Sequence, residues 1–389
     1  MLACLLPRRF ARGVAFLLSV AGALPLSAQF TGFEADELGV FDRTRANLNG
    51  TDLNNRGDLV GFAIGSSGSP TVSFVYRDGA YTNLGTLTDG RSSYAYGINE
   101  SGQITGYSFV RNGLNQTFAS AFVYQDGTLT NVGIGLASRG LAINNAGTIA
   151  GLVQLDPGQR EQGILIGTNP SSQTPVDGLD ATANSRFLAI NSRGDAVGFS
   201  GVSGSTIRPV LYTNGTLTDL GVPNGVSSEA IAINNAGTIL IRNMTDPDLA
   251  RKGYLFRDGT FTDIGHLGGN DTRPAGLNAQ GYVVGYSRQA DGSVRGFVYT
   301  PDGGMQNLES LFQNNALVTA GYVPGSFGPF AINDNNQIAG IGTFTDAFGE
   351  HDRLMLLTPI AIPEPETYAL ILIGLAAAAA SRRLRRKRR

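Results

Sequence analysis

The chain has 389 residues, 42% of them hydrophobic and 15% charged, with two histidines, one cysteine and no tryptophan. This composition provides apolar surface for a large core, and it excludes a disulfide-stapled miniprotein, a zinc cluster and a disordered charged chain. Ten of the 29 basic residues lie at the two ends. Residues 29–381 therefore contain 19 basic and 31 acidic residues, a formal charge of −12. Because such a body repels phosphate backbones, we expect no nucleic-acid partner.

Residues 1–28 have the pattern of a secretory signal peptide. Three arginines precede an apolar run from Gly13 to Leu24, and small residues end the segment at Ala28. The run has 12 residues, whereas a retained membrane helix needs roughly 20. We expect cleavage before Gln29, and the single cysteine, Cys4, would leave with the signal.

One motif recurs seven times through the body: an apolar residue, Asn, two variable residues, Gly, one residue, an apolar pair and a closing Gly. The asparagines are separated by 45, 45, 47, 43, 44 and 55 residues. They are Asn54, Asn99, Asn144, Asn191, Asn234, Asn278 and Asn333. A period of about 45 residues suits four short strands with their turns.

The Asn and the Gly three positions later predict a turn between two strands. An asparagine side chain can hydrogen-bond the backbone two residues further on, and glycine tolerates a positive φ. The glycines are Gly57, Gly102, Gly147, Gly194, Gly237 and Gly281. The seventh copy has Asn336, the type of residue that best replaces glycine there. The closing Gly predicts close approach of two backbones, and only Ile241 in the fifth copy departs from it.

Asx-Gly pairs follow β-branched and aromatic runs about 20 residues after five of the asparagines. Such pairs supply the positive φ angles of tight hairpin turns. They are Asp78-Gly79, Asp126-Gly127, Asn214-Gly215, Asp258-Gly259 and Asp302-Gly303. Each repeat is therefore predicted to form a four-stranded antiparallel sheet.

Seven such sheets can bury their faces only by stacking, and a closed ring leaves only short, protected edges. We predict an all-β fold, a seven-bladed β-propeller over residues 29–360, with an open β-solenoid as the alternative. Helix is expected in at most one turn, within Gln306–Gln313.

The two ends of the body are predicted to share the seventh blade. The last copy stops after its third strand, near Leu354–Leu357, and Glu37-Leu38-Gly39 precedes the first motif as Asn83-Leu84-Gly85 precedes the second. We therefore predict that residues 30–39 supply the outer strand of the seventh blade and latch the ring. A solenoid would need no latch.

Residues 361–389 form a segment with three parts. Pro363-Glu364-Pro365 precedes an apolar run from Tyr368 to Ala380, and seven of the last eight residues are basic. The 13-residue run spans about 20 Å as a helix, short of the roughly 30 Å hydrocarbon core. The basic tail is expected to stay in the cytoplasm while the body lies outside.

This arrangement resembles the PEP-CTERM sorting signal of Gram-negative bacteria, with Pro363-Glu364-Pro365 as its motif. The resemblance implies transient insertion in the inner membrane, removal of the tail by an exosortase, and a final location at the cell surface or outside the cell. An ordinary tail anchor is the alternative. The repeats, with their Ile-Asn-x-x-Gly-x-Ile-x-Gly core and following Phe-Val-Tyr strand, resemble HAF-type extracellular repeats over residues 30–358. That resemblance implies a secreted or surface repeat protein without established chemistry.

The sequence contains no recognisable catalytic or metal-binding constellation, and we predict no cofactor. His266 and His351 have neither the spacing of a metal pair nor that of a triad. Lys252 is expected to be a solvated charge. The turn from Asn333 to Gln337 is rich in oxygen atoms, but it lacks the bidentate glutamate of a calcium loop.

Two functions from different classes remain open. The favoured one is a non-catalytic surface or matrix protein that binds polysaccharide or protein, in the exopolysaccharide and biofilm context implied by the sorting signal, with aromatic rings as sugar platforms. The alternative is a secreted glycan hydrolase or lyase that uses two carboxylates on a propeller face. Asp89, Glu229 and Asp271 lie between successive repeats and could meet at one rim, where solvated side chains are expected.

Overall fold

The computed structural model describes residues 30–39, 45–65, 69–87, 91–111, 113, 115–167, 173–180, 182–202, 206–221, 227–243, 251–313, 320–347 and 349–361. Thr31–Ile360 form one compact unit. The predicted signal peptide, Pro363-Glu364-Pro365 and the run from Tyr368 to Ala380 lie outside the described residues. Within the described residues, no helix is long and apolar enough to cross a membrane.

The described chain is built almost entirely of short strands. In chain order they are β1 (Phe30–Glu37), β2 (Arg45–Leu53), β3 (Leu59–Gly65), β4 (Val72–Arg77), β5 (Ala80–Gly85), β6 (Ser93–Ile98), β7 (Ile104–Arg111), β8 (Thr117–Gln125), β9 (Thr128–Asn131), β10 (Ala137–Ile143), β11 (Ile149–Gln154), β12 (Gln162–Ile166), β13 (Gln173–Val176), β14 (Ser185–Ile190), β15 (Ala196–Val202), β16 (Thr206–Thr213), β17 (Thr216–Asp219), β18 (Ser228–Ile233), β19 (Ile239–Asn243), β20 (Gly253–Arg257), β21 (Thr260–Asp263), β22 (Gly268–Leu277), β23 (Val283–Gln289), β24 (Val294–Thr300), β25 (Gly304–Asn307), β26 (Gly328–Ile332), β27 (Ile338–Asp346) and β28 (Gly349–Ala361). One turn of 3₁₀ helix, Leu308–Leu311, lies within the segment predicted to hold it.

The strands form seven four-stranded sheets. Six are made of consecutive strands, from β2–β5 in blade 1 to β22–β25 in blade 6, and the seventh has the order β26-β27-β28-β1. The first strands of neighbouring blades contact one another around the whole circle, and β2 contacts β26. The fold is therefore a seven-bladed β-propeller, which confirms the prediction and rejects the open solenoid.

The first described strand completes the last blade. β1 is the outermost strand of blade 7, next to β28. The Leu38 amide donates to the Leu354 carbonyl at 2.9 Å, and Arg353 forms an ion pair with Glu37 at 2.8 Å. The predicted latch is confirmed, and it joins the two ends of the body by β-sheet hydrogen bonds instead of a covalent link.

The hydrophobic core lies between the blades. One cluster combines Leu59 and Phe74 of blade 1 with Ala339 and Leu354 of blade 7. Each blade buries both faces, which explains the adjacent apolar pairs in the motif. Because every blade needs two neighbours to cover its faces, the stability of the fold depends on ring closure.

Four of the five Asx-Gly pairs form the predicted tight turns, with positive φ at both residues. Asp78 and Gly79, for example, have φ of 51° and 79°. The fifth pair differs, because the loop between β24 and β25 contains three residues, Pro301–Gly303, and the positive φ falls on Gly304 at 68°. The extra proline changes the turn.

The closing glycines occupy places where two strands approach closely. A Cβ atom at Gly106 would collide with the carbonyl oxygen of Tyr94 on the neighbouring strand. In blade 5 the same position is Ile241, which is fully buried and packs with Ala230 and Tyr254. Nothing in the structure explains why this blade alone accommodates a side chain there.

Candidate functional site

Each of the seven motif asparagines organises its own turn. The Asn144 Oδ1 atom accepts hydrogen bonds from the amides of Ala146 at 3.1 Å and Thr148 at 2.9 Å, while Gly147 takes a φ of 80°. The other six asparagines accept from the same two positions of their turns. The bond from the amide two residues further on was predicted from the sequence. The bond from the amide four residues further on was not.

The same side chains also join neighbouring blades. Each Nδ2 atom donates to the backbone carbonyl of the next motif asparagine, at 2.9 to 3.4 Å. The series runs from Asn54 through every blade to Asn333, which donates to the Asn54 carbonyl. Seven hydrogen bonds therefore form a closed circle, which we call the asparagine ring.

A cavity of about 190 Å³ opens at the asparagine ring. The first strand of each blade is called its inner strand. Aliphatic side chains at the ends of five inner strands line part of the cavity: Ile98, Ile143, Ile190, Ile233 and Leu277. The residues that follow the asparagines form the rim, and six of the seven are polar: Asn55, Glu100, Asn145, Ser192, Asn235, Ala279 and Asp334. The cavity thus joins an apolar wall to a polar entrance.

Two rim carboxylates lie on either side of Asn55. Glu100 accepts a hydrogen bond from the Asn55 amide at 3.2 Å. Asp334 accepts one from the Asn55 side chain at 3.3 Å and another from the Ala279 amide at 2.8 Å. Both acids therefore hold neighbouring blades together.

A third carboxylate, Asp52, lies beside them on blade 1. It accepts hydrogen bonds from the amides of Leu53 at 2.8 Å and Ile98 at 2.9 Å. Burial raises the pKa of Asp52 to about 6, the two amide bonds oppose that rise, and the charge of Glu100 adds to it. Asp52 is thus an acid with a raised pKa that joins blade 1 to blade 2 next to the asparagine ring.

Asp52 makes the fold more stable in mild acid. Because its pKa is raised from 3.8 to about 6, the folded protein favours the protonated form, and this contribution is fully present below pH 3.8 and is lost as the pH rises through 6. We expect the free energy of unfolding of the native protein, relative to that of Asp52→Ala, to be larger at pH 4.5 than at pH 7.5. Urea unfolding at both pH values measures it; a difference independent of pH would contradict the raised pKa.

All seven inner strands carry a β-bulge just before the motif. The register shifts fall at equivalent places, such as Ala95/Gly97 in β6 and Gly140/Ala142 in β10. The bulged residue is apolar or aromatic in six of the seven blades, for example Tyr96 in blade 2 and Leu141 in blade 3. Bulges redirect side chains, and the sequence repeat did not reveal them.

Each inner strand begins away from the asparagine ring. Near that beginning, one of its residues pairs with the residue that follows the closing position of the motif on the second strand. We call these the far-end pairs: Asn49–Phe62, Tyr94–Tyr107, Arg139–Leu152, Arg186–Phe199, Glu229–Arg242, Arg273–Tyr286 and Gly328–Ile341. Directly opposed residues share one face of a sheet. Large and charged side chains therefore gather at this end.

An aromatic patch lies among the far-end pairs of blades 1 and 2. It consists of Phe62, Tyr94, Tyr96, Tyr107 and Phe109. The rings of Tyr94 and Tyr107 stack with centroids 4.8 Å apart, and Phe62 meets Tyr94 edge-on at 5.0 Å. Tyr107 is buried and the other four rings are half-buried. The patch presents ring surface to solvent between two blades.

The carboxylates singled out from the sequence do not form a solvated rim. Glu229 and Asp271 are 4% and 5% exposed, and each is ion-paired with an arginine of its own blade. Asp89 lies outside the described residues. The expectation of solvated side chains is therefore wrong for the two described acids, because the far-end arginines neutralise them.

The remaining candidates have ordinary surroundings. His266 is exposed and its Nδ1 accepts from the Gly268 amide, while His351 accepts from the Arg353 guanidinium at 2.8 Å. Lys252 is exposed near Asp263 at 3.4 Å. No group of three or more His, Cys, Asp or Glu side chains suited to a metal ion occurs among the described residues.

The sequence contained a signal for Asp52 that the motif search did not use. When the repeats are aligned on their asparagines, the position two residues earlier is Gly97, Ala142, Ala189, Ala232, Gly276 and Ala331 in the other copies. An acid in one repeat at a position otherwise occupied by glycine or alanine is unexpected. The aromatic patch gave no such signal, because its rings come from two repeats.

The C-terminal segment matches a known sorting signal. Residues 361–387 match the PEP-CTERM protein-sorting motif, which confirms that part of the sequence interpretation and marks the chain as exported. No curated protein matches the chain.

Solved structures share its architecture. The β-propeller domain of the Trilobed protease from Pyrococcus furiosus, described as having an open velcro topology, aligns with 11% identity and a TM-score of 0.52 over 80% of this chain and 95% of that one. The acylaminoacyl peptidase of Pyrococcus horikoshii aligns with 13% identity and a TM-score of 0.49 over 79% of this chain and 52% of that chain. A lectin from Aleuria aurantia aligns with 11% identity and a TM-score of 0.39 over 70% of this chain and 96% of that chain. The similarity to the Pyrococcus furiosus domain, at 11% identity, shows the fold alone.

Proposed function

We propose that this protein is a non-catalytic surface or matrix protein whose propeller binds polysaccharide. The observation that carries the proposal is the aromatic patch, where four half-buried rings gather between two blades. Aromatic faces stack on the apolar faces of sugar rings, and their rigidity keeps the entropic cost of binding low. Export by the sorting signal supports this function, because it takes the propeller to where exopolysaccharide and biofilm matrix are found. The likeness of its repeats to HAF-type extracellular repeats belongs to the same proposal.

A glycan array tests the proposal directly. We expect the purified protein to retain polysaccharides on the array, and Phe62→Ala together with Tyr96→Ala to weaken that binding, because both rings lose their stacking surface. Reducing ends should not be released from the same polysaccharides. Tyr299→Phe, a change in another blade that keeps its ring, serves as the control. Absence of binding to every glycan would overturn the proposal.

Glycan hydrolysis is the second candidate, and Asp52 is the observation that favours it. A general acid needs a pKa near the working pH, and the pKa of Asp52 is about 6 beside Glu100. Release of reducing ends that disappears in Asp52→Asn and persists in Phe62→Ala would establish this function in place of the first. The two candidate sites use different residues, Asp52 in one and Phe62 in the other, so the variants distinguish the functions.

The tail is proposed to be removed by an exosortase-type enzyme that recognises Pro363-Glu364-Pro365. We expect Glu364→Ala to keep residues 361–389 on the exported protein, because the motif is the part of the signal that the enzyme reads. Intact mass measurement in a host that carries an exosortase checks this. Glu366→Ala changes the same charge outside the motif and should be processed normally. Equal cleavage of both variants would contradict recognition through Glu364, and retention of residues 361–389 on the unaltered protein would support an ordinary tail anchor.

A further inference from the structure

The far-end pairs place arginines on four consecutive blades, and three of these are neutralised within their surroundings. Each of the three lies 2.5 to 2.7 Å from a carboxylate. The pairs are Arg186 with Glu161, Arg242 with Glu229, and Arg273 with Asp271. The fourth, Arg139, has no carboxylate within ion-pair distance among the residues that the structure describes.

Arg139 lies against the aromatic patch instead. Its guanidinium carbon is 5.0 Å from the ring centre of Tyr107, which is a cation–π contact. The side chain is half-buried, and the ring stack of Tyr107 with Tyr94 and Tyr96 fixes the surface on which it rests. A positive charge with no carboxylate partner among the described residues therefore lies at the edge of the aromatic patch.

A cation in this position selects among ligands because the rest of the body is acidic. A net charge of −12 repels a polyanion at long range, but physiological salt screens that repulsion beyond about 8 Å and leaves a direct contact with Arg139. A ligand gains from Arg139 only if it places a compact anion at the guanidinium, where a carboxylate can accept two parallel hydrogen bonds. It gains from the patch only if it also presents a ring with an apolar face.

We propose that the aromatic patch and Arg139 together form a binding site for acidic polysaccharide, in which a uronate-type sugar stacks on the rings of Phe62 and Tyr96 and its carboxylate pairs with Arg139. This inference rests on the proposed polysaccharide-binding function and names the ligand class and the residue that selects it. Tyr94 and Phe109 border the same surface, and the Tyr94 hydroxyl is 3.4 Å from the Thr71 hydroxyl.

Polygalacturonate and the same polymer after reduction of its carboxyl groups are the probes, because they differ only in the anion. We expect the full-length protein to bind polygalacturonate roughly tenfold more tightly than the reduced polymer, since a charge-assisted hydrogen bond is worth at least that factor. Arg139→Gln should remove this preference while retaining binding to the reduced polymer, and Arg139→Lys should restore part of it. Arg257→Gln removes an exposed arginine elsewhere and should change neither.

The outcomes separate the two proposals. Equal affinity for both polymers, unchanged in Arg139→Gln, would overturn the acidic-sugar inference and leave polysaccharide binding in place. Binding to neither polymer and to no other glycan would overturn both. Thermal unfolding of each variant shows whether it is folded, and if Arg139→Gln fails to fold, loss of the preference at 0.5 M salt in the unmodified protein tests the same charge.

Discussion

Phe33→Ala is expected to lower the free energy of unfolding by about 3 to 5 kcal/mol, the usual cost of removing a buried phenylalanine ring. Phe33 lies in β1 and has no exposed surface. It is also next to Phe312 in an isolated parallel bridge, so the strand is held by both blade 7 and the segment after blade 6. The loss weakens the only blade that combines the two ends of the body. Urea unfolding of the purified protein measures the change.

The neighbouring residue provides the matched control. Glu34 is exposed on the same strand, and Glu34→Ala should change the free energy of unfolding by less than about 0.5 kcal/mol. If both variants unfold at the same urea concentration, β1 does not contribute to the blade in solution. That result would contradict the latch.

Asn144→Ala is expected to lower the free energy of unfolding by about 3 kcal/mol, because one side chain satisfies three backbone groups, each worth about 1 kcal/mol. Asn144 is 6% exposed. Its Oδ1 atom accepts from two amides of its own turn, and its Nδ2 atom donates to the Asn191 carbonyl at 3.1 Å. The substitution therefore loosens a turn and opens the asparagine ring.

Asn144→Asp separates these two effects. The aspartate keeps the oxygen that accepts both hydrogen bonds of the turn. It also places an anionic oxygen against the Asn191 carbonyl, whereas the protonated acid can donate to that carbonyl. We expect this variant to be less stable at pH 7 than at pH 5 when each is compared with the native protein. Asn145→Ala, at the exposed next position, should cost below about 1 kcal/mol. If Asn144→Ala costs no more than Asn145→Ala, the ring adds nothing to stability.

The blade count and the latch were predictable because each follows from a local pattern repeated along the chain. A turn asparagine, a glycine three residues on and an Asx-Gly hairpin each act within a few residues. Each copy of the repeat therefore predicts the same turns independently of the other copies. The fifth hairpin escaped this rule, because Pro301 lengthens the loop and moves the positive φ to Gly304.

The asparagine ring was not predictable, since it depends on how neighbouring blades are oriented, and the bulges were not, since each depends on the register between two paired strands of one blade. The Nδ2 atom of Asn144 donates to a carbonyl 47 residues away along the chain. The angle between the two blades brings these atoms within hydrogen-bond distance. The aromatic patch has the same origin, with Phe62 and Tyr94 brought together from separate repeats.

The pairing of β1 with β28 has a consequence for the order in which the protein matures. The ribosome synthesises β1 before any complete blade and β28 after all the other strands. Six blades can therefore form while the seventh still lacks β28, the strand between β27 and β1. β28 ends at Ala361, two residues before Pro363. Completion of the ring and appearance of the sorting motif therefore coincide in time, so the motif becomes available only when every strand of the propeller has been made.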